Sequence, residues 1–328
     1  MQIRSNRLYC KLEKDFPVLF FSIMDYLNSF FTSDKPEDII KFYSFFNDSE
    51  SLINWIRKRP KGHYDIFEVE GNKDIIVVIP TADFNGKFAK TCREEIFKGH
   101  HIIFVQSGGK EDYYFNFSHN SNVGIKKALE YNPKWIVCSN DDMYKIDDIE
   151  KLISKLSEID ENKIDAVFTR PSLYHSVPYY IGKITCLYKI YLVFTFNSKT
   201  NYLQRKFDIK YIYTRTRSNK IRNLAKKYLL PKLYRCEFIN FSDFLILSAN
   251  YFKKNDDIFD ETYLNEGEDT DLSFRLLLEG ARYTIIDYKI GDLIGSTIGT
   301  AMNRNFRSLY GLVYFNYKFR NILNRYNK

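Results

Sequence analysis

Two acidic clusters contain the residue types that could do chemistry. The first is Asn140-Asp141-Asp142, placed directly after the apolar run Trp135 to Cys138. Adjacent carboxylates at the end of a buried strand repel each other and are costly unless a cation or solvent relieves them. Such oxygen donors suit Mg²⁺ or Mn²⁺, which can bridge the phosphates of a nucleotide. Spacing alone fits equally well an exposed Asx turn leading into the next helix. The second cluster is Glu266-Gly267-Glu268-Asp269-Thr270-Asp271-Leu272-Ser273-Phe274-Arg275. Its acids open a helix that runs on through Leu276 and Glu279 to a Gly280 stop. The helix dipole favours each acid singly, but four carboxylates within six residues exceed what capping needs. One can serve as a general base toward an attacking hydroxyl. Arg275, four residues beyond Asp271, is spaced to hold it as an i,i+4 pair.

A third group, His119-Asn120-Ser121-Asn122-Val123-Gly124, precedes a helix expected over Val123 to Tyr131. Asn122 can cap that helix while its side chain or nearby amides meet a ligand. By itself the group marks a helix start and little more. His63, His100, His101 and His175 show no metal-ligand spacing.

These groups need a frame to hold them. Asp74 to Ile79 is a continuous β-branched run stopped by Pro80, as a strand buried on both faces requires. A helix over Gly86 to Lys98, a strand over Ile102 to Val105, the strand Trp135 to Cys138, a helix near Ile146 to Leu156 and a strand near Ala166 to Thr169 continue the alternation. Strand–helix–strand repetition implies an α/β domain with parallel strands, whose ligands lie beyond the strands' carboxyl ends. The segments Thr81 to Asn85, Gln106 to Gly109 and Asn140 to Asp142 should therefore line one crevice. Residues 1–72 read as a mostly helical extension, with one helix opening at Lys35-Pro36-Glu37-Asp38 and another ending near Arg57.

Net charge is +8, yet 14 Lys or Arg against the single acid Asp208 lie between Lys183 and Arg235, so the rest of the chain is net acidic. That segment calls for an anionic partner: lipid headgroups, a lipid pyrophosphate or nucleic acid. A solvated helical face on an insertion accounts for it equally well. The cysteines Cys10, Cys92, Cys138, Cys186 and Cys236 form no CxxC pair, which fits a reducing cytoplasm better than a disulfide framework or zinc knuckle. No apolar run reaches the ~20 residues that cross a bilayer, and no signal-peptide pattern opens the chain.

In order and spacing, from about Asp74 to Asp287, the pieces resemble glycosyltransferase family 2. They are Ile79-Pro80-Thr81, Val105-Gln106-Ser107-Gly108-Gly109, Asn122-Val123-Gly124 with Ala128, Asn140-Asp141-Asp142, Phe259-Asp260-Glu261 and Glu268-Asp269-Thr270-Asp271-Leu272-Ser273-Phe274-Arg275. Phe319-Arg320-Asn321 looks like the Arg-Asn that closes rhamnosyltransferase-like members. Each motif is weak alone, and the ordered set carries the resemblance.

The resemblance implies a GT-A fold: a Rossmann-like mixed sheet flanked by helices, here with the N-terminal extension and a basic insertion. Its parts would be 1–72, a nucleotide-sugar half over 73–175, a basic, aromatic-rich insertion or acceptor region over 176–240, and a base-bearing half over 241–328. It implies a nucleotide-diphosphate sugar donor, a divalent cation and an inverting transfer, in surface polysaccharide, glycolipid or glycoprotein glycan synthesis. Pro80, Thr81, Asp83, Gln106, Ser107, Asn122, Gly124, Asn140 and Asp141 would face the donor. Asp142, helped by Asn140 or Asp141, would hold the metal. Asp269, with Glu268, would deprotonate the acceptor hydroxyl, supported by Asp271 and Arg275. A glycan or lipid-linked acceptor would meet the chain at 183–235, which also offers contact with an anionic cytoplasmic membrane face. Gln106 stands where the family commonly has Asp, and no histidine follows the Glu-Asp helix.

Two other readings compete. A nucleotidyltransferase of related fold needs a Gly-rich basic loop after the first strand, and Asp83-Phe84-Asn85-Gly86 is not one. A non-enzymatic nucleic-acid-binding protein would use the basic aromatic segment, but its phosphates would meet the repulsion of the two acidic clusters. No nucleic-acid partner is therefore expected.

Overall fold

The β-branched run expected from Asp74 to Ile79 sits at the middle of the molecule. In the computed structural model the described residues are 30, 33, 35–108, 114–171, 174–183, 198–215, 234–254, 258–264, 266–293 and 301–325. Their strands are β1 (Asp65–Val69), β2 (Asn72–Thr81), β3 (His100–Gln106), β4 (Trp135–Ser139), β5 (Met143–Lys145), β6 (Ala166–Thr169), β7 (Val177–Lys183), β8 (Tyr211–Arg215), β9 (Tyr234–Asn240), β10 (Phe244–Ser248), β11 (Tyr283–Ile286) and β12 (Ile290–Asp292). The helices are α1 (Pro36–Ser44), α2 (Ser49–Arg57), α3 (Lys87–Thr91, running into a π-turn over Cys92–Ile96), α4 (Phe117–Leu129), α5 (Ile149–Ser157), α6 (Ser198–Lys206), α7 (Ala249–Lys253), α8 (Glu268–Leu278) and α9 (Ala301–Arg325).

Seven strands form a mixed central sheet in the order β1-β3-β2-β4-β10-β6-β11. β3, β2 and β4 are parallel, as are β6 and β11. β10 runs antiparallel to both β4 and β6, and β1 antiparallel to β3. Alternation along β2 explains why helices cover both faces. Ile75, Val77 and Ile79 enter one core with Ala89, Cys92, Ile149 and Leu152. Ile76 and Val78 enter the other with Ile125, Ala128, Leu272 and Leu276. Each such fully buried side chain contributes roughly 1.5–3 kcal/mol.

Beside this sheet lie a β5-β12 ribbon and a three-stranded antiparallel sheet, β8-β7-β9. Val177, Tyr179 and Phe238 of that smaller sheet share a core with Phe274 of α8 and Phe315 and Phe319 of α9. The opening helices α1 and α2 pack Ile39, Phe42, Leu52, Ile53 and Ile56 against Phe306, Leu309 and Val313 of α9 and Leu203 of α6. The four sequence segments therefore share cores rather than standing apart.

Several expectations need correction. Residues 1–72 are not only helical, because Asp65–Val69 is an edge strand whose residues pair with Ile102 to Gln106. The helix expected over Val123 to Tyr131 begins earlier, at Phe117, with Asn116 as its cap: Asn116 Oδ1 accepts from the His119 N–H at 2.9 Å. Asn122 therefore lies inside the helix and caps nothing. The expected helix over Gly86 to Lys98 starts at Lys87 and ends in the π-turn. Within the basic segment, β8 and β9 replace a purely helical face, while Arg217, Arg222, Lys226, Lys227 and Gly109 lie outside the described residues.

Gly124 shows what the close contact between α4 and the sheet demands. A Cβ there would stand 2.4 Å from Val78 Cγ1 and 3.0 Å from Val105 Cγ2, both core atoms of the central strands. Gly124→Ala should lower unfolding free energy by about 1–3 kcal/mol through overpacking, read as a fall in the urea midpoint. An unchanged midpoint would refute so close an approach.

Candidate active site

The carboxyl ends of β2, β3 and β4 lie level, since Thr81 pairs with Gln106 and Val78 with Cys138. Thr81 ties two of them together by donating from Oγ1 to Asp141 Oδ2 at 2.7 Å. Its carbonyl accepts from the Ser107 N–H at 3.1 Å. Gln106 Oε1 accepts from the Phe84 N–H at 2.7 Å, and Asp83 Oδ1 from the Asn85 N–H at 2.9 Å, so the turn after β2 is held from both sides. Asp83 itself is exposed. The described parts of the three strand ends are thus linked by hydrogen bonds along one edge of the sheet.

At the end of β4, Asp142 is buried, while Asn140 and Asp141 are half-buried. Burial, and then the charge of Asp142, raises the Asp141 carboxyl to about 6 in spite of the Thr81 hydroxyl that favours its charged form. The backbone of Asp142 is fixed from the β5-β12 ribbon, whose following residue Leu293 donates its N–H to the Asp142 carbonyl at 2.9 Å.

The second cluster reaches the same edge because β10 runs backwards. Its first residue, Phe244, pairs with Ser139, the last of β4. The β9–β10 turn, Phe241 to Asp243, is therefore placed beside Asn140, whose N–H donates to the Asp243 carbonyl at 3.2 Å. Ser242 in this turn has φ 55°, a left-handed conformation uncommon for a residue with a side chain. The carboxylate of Asp243 in turn acts electrostatically on Glu268. Asn140 thus holds the β9–β10 turn, and Asn240, three residues before Asp243, donates to Asp269 Oδ2 at 2.7 Å, so that this stretch links the two clusters.

α8 starts at Gly267, with φ 96°, where a Cβ would be strained and would also meet the Tyr263 ring at 3.2 Å and the Tyr213 hydroxyl at 3.4 Å. The next two residues differ sharply. Glu268 is 9 % exposed, and its Oε2 has no hydrogen-bond partner. Burial, then Asp269, with Glu266 and Asp243 adding to them, holds its carboxyl well above the usual range. Asp269 is half-buried and well supplied with donors: Asn240 Nδ2 to Oδ2 at 2.7 Å and the Thr270 N–H to Oδ1 at 2.7 Å. The two adjacent carboxyls therefore sit in unlike surroundings, one with an unbonded Oε2 and one bonded at both oxygens.

The remaining site candidates serve the frame. Asp271 and Arg275 form the expected i,i+4 pair at 2.7 Å, and Asp271 also meets Lys318 of α9 at 2.7 Å and the Tyr263 hydroxyl at 3.2 Å. Lys318 also meets Asp260 at 2.8 Å. Burial raises Asp260, but Lys318, the Thr262 N–H and the Tyr314 hydroxyl together outweigh it and hold that carboxyl at about 2. Asn122 bonds the Phe259 backbone at both ends of its amide, Nδ2 to the carbonyl at 2.8 Å and Oδ1 from the N–H at 3.0 Å. Its amide is therefore committed to Phe259-Asp260-Glu261, as is His119 through Glu261 at 3.0 Å. Gly124 is a packing glycine, Pro80 is buried in β2 opposite Val105, and Ser107 accepts from Asn120 at 2.9 Å. Asn240, Asp243, Tyr213 and Lys318 were not anticipated. The turn residues ahead of the apolar run Phe244 to Leu247 were the available signal for the first two.

Glu268 predicts a pH dependence. Its raised value means that the folded chain keeps a proton the unfolded chain has lost, so stability falls as pH rises from the ordinary glutamate value, 4.5, into the neutral range. Glu268→Gln should match wild type near pH ~4 and exceed its Tm increasingly toward pH ~8. Parallel Tm–pH curves for the two would contradict a buried neutral Glu268. Compared with known proteins, the chain matches no family model and no curated protein at a significant level.

Proposed function

We propose that the chain is an inverting, metal-assisted glycosyltransferase of the GT-A kind, using a nucleotide-diphosphate sugar as donor. The observation that carries this reading is the linking of the two acidic clusters by hydrogen bonds from Asn140 to the Asp243 carbonyl and from Asn240 to Asp269. A transferase of this type needs a cation-binding end for the diphosphate and a base for the incoming hydroxyl, and in this reading the two clusters supply them.

The residues at β4 fit a cation in chemistry. They offer hard oxygen donors, and Asp141, raised to about 6, would gain from a positive neighbour. Among the described residues no three His, Cys, Asp or Glu side chains form a metal cage. Asp142, with Asn140 or Asp141, would therefore hold Mn²⁺ or Mg²⁺ only together with diphosphate oxygens and water. The cation's contribution when bound is to neutralise the departing diphosphate.

Asp269 is the base in this reading. Its ionised carboxylate takes the proton from the acceptor hydroxyl as that oxygen forms a bond to the anomeric carbon. The bond from that carbon to the diphosphate oxygen breaks on the opposite side, which inverts the centre. Glu268, kept neutral by burial and by Asp269, is free to donate a hydrogen bond from its remaining proton. The acceptor is a glycan or lipid-linked alcohol. The excess of Lys and Arg in 183–235 supports contact with an anionic membrane on its cytoplasmic face. No helix among the described residues is long and apolar enough to cross a membrane.

A thermal-shift screen of nucleoside diphosphates tests the donor end. One of them should raise Tm only with Mn²⁺, and Asp142→Asn should abolish that shift. Asp269→Asn should keep the shift but lose transfer by roughly 100-fold or more; undiminished transfer would remove Asp269 from the role. Liposome co-sedimentation tests the membrane contact. Binding should grow with anionic lipid and fall with salt, and indifference to both would remove it.

A further inference from the structure

We propose that Asn240 is the positioning residue of the base, orienting Asp269 through its side-chain amide; this rests on the glycosyl-transfer reading above. Asn240 is the last residue of β9 and is 0 % exposed. Its Nδ2 donates to Asp269 Oδ2 at 2.7 Å. A charged carboxylate only accepts, so the amide must turn its NH₂ group toward Asp269. That choice leaves Asn240 Oδ1 buried with no hydrogen-bond partner.

Buried polar atoms are almost always satisfied, so the orphaned oxygen calls for an explanation. A merely structural position would be filled better by an apolar residue of the same shape, which leaves nothing unpaired. The amide accepts this defect to serve one bond, and that bond goes to the base. Asp269 Oδ1 is meanwhile held by the Thr270 N–H at 2.7 Å and by the Thr270 hydroxyl at 3.3 Å. With both oxygens tied, the carboxylate has one orientation, and each oxygen keeps lone-pair capacity for a substrate proton.

The strand that carries Asn240 is itself fastened. Asn240 pairs with Val177 of β7, and the next residue, Phe241, donates its N–H to Ser273 Oγ of α8 at 3.4 Å. The smaller sheet thus sets the position of the base from outside α8. Two facts in the chain's own sequence are joined here: the strand that closes the basic segment ends at the residue that holds Asp269.

The test uses the full chain as wild type, Asn240→Ala, Asn240→Asp and Asp269→Asn, assayed with the nucleotide-sugar donor that wild type turns over. Both Asn240 variants should lose roughly 10- to 100-fold in kcat while the donor KM stays within about threefold. Their acidic limb in the pH–rate profile should move to higher pH, because a hydrogen bond favouring the charged base is gone. A structural role would leave that limb in place. Wild-type kcat and pH profile in Asn240→Ala, beside an inactive Asp269→Asn, would overturn the inference and leave the transferase reading standing. Wild-type turnover in Asp269→Asn would overturn the base reading and the inference with it. With no donor turned over, the stability cycle of Asn240→Ala and Asp269→Ala decides: coupled losses support the pairing, and strictly additive ones overturn it.

Discussion

One reversed strand organises the cleft. β10 lies antiparallel between β4 and β6, whereas the other strands from β3 through β11 share a direction. A parallel strand in its place would have sent its leading turn to the far edge of the sheet. Because it is reversed, the residues that enter it emerge beside the end of β4, and Asp243 is delivered to Asn140. The chain then returns through α7 to α8, whose first turn arrives at the same edge. The placing of both acidic clusters at one edge depends on the pairing of Phe244 with Ser139.

A cleft with so many acids is held together by unequal treatment of each. Asp271 and Asp260 are neutralised from behind by Arg275 and Lys318, an arrangement that also locks α8 to α9. Removing one partner from a buried pair of this sort typically costs about 3–5 kcal/mol, so this network anchors the helix rather than decorating it. Burial and its acidic neighbours hold the Glu268 carboxyl well above the usual range, while Asp269 has both oxygens tied by donated hydrogen bonds.

Much of the frame was legible in the chain. β2, β3, β4 and β6 announce themselves as β-branched or aromatic runs, since strands buried on both faces need nothing else. The Asp271–Arg275 pair followed from helical spacing alone. What escaped notice depends on distance and direction. A run such as Phe244 to Leu247 reads the same in a parallel or antiparallel strand, so the reversal of β10 could not be inferred. β1 is a short edge strand with three of its five residues exposed, and its pattern is weak. Lys318 sits on a helix 47 residues beyond Asp271 and 58 beyond Asp260, and no local period links them. Asn122 reads as a cap because it precedes a helical pattern, but α4 starts five residues before it, and its amide faces Phe259.

The smaller sheet ties the basic segment to the second acidic cluster. β9 leaves the basic segment, holds Asp269 through Asn240 and leads straight into the reversed strand. The central claim is that the two acidic clusters face one shared cleft, and paramagnetic broadening tests it most directly. With Mn²⁺ and a nucleoside diphosphate added to labelled protein, amide resonances of Asn140 to Asp142 and of Glu268 to Thr270 should broaden together. Asp142→Asn should spare both sets. Broadening confined to one cluster, with the other untouched, would contradict the account.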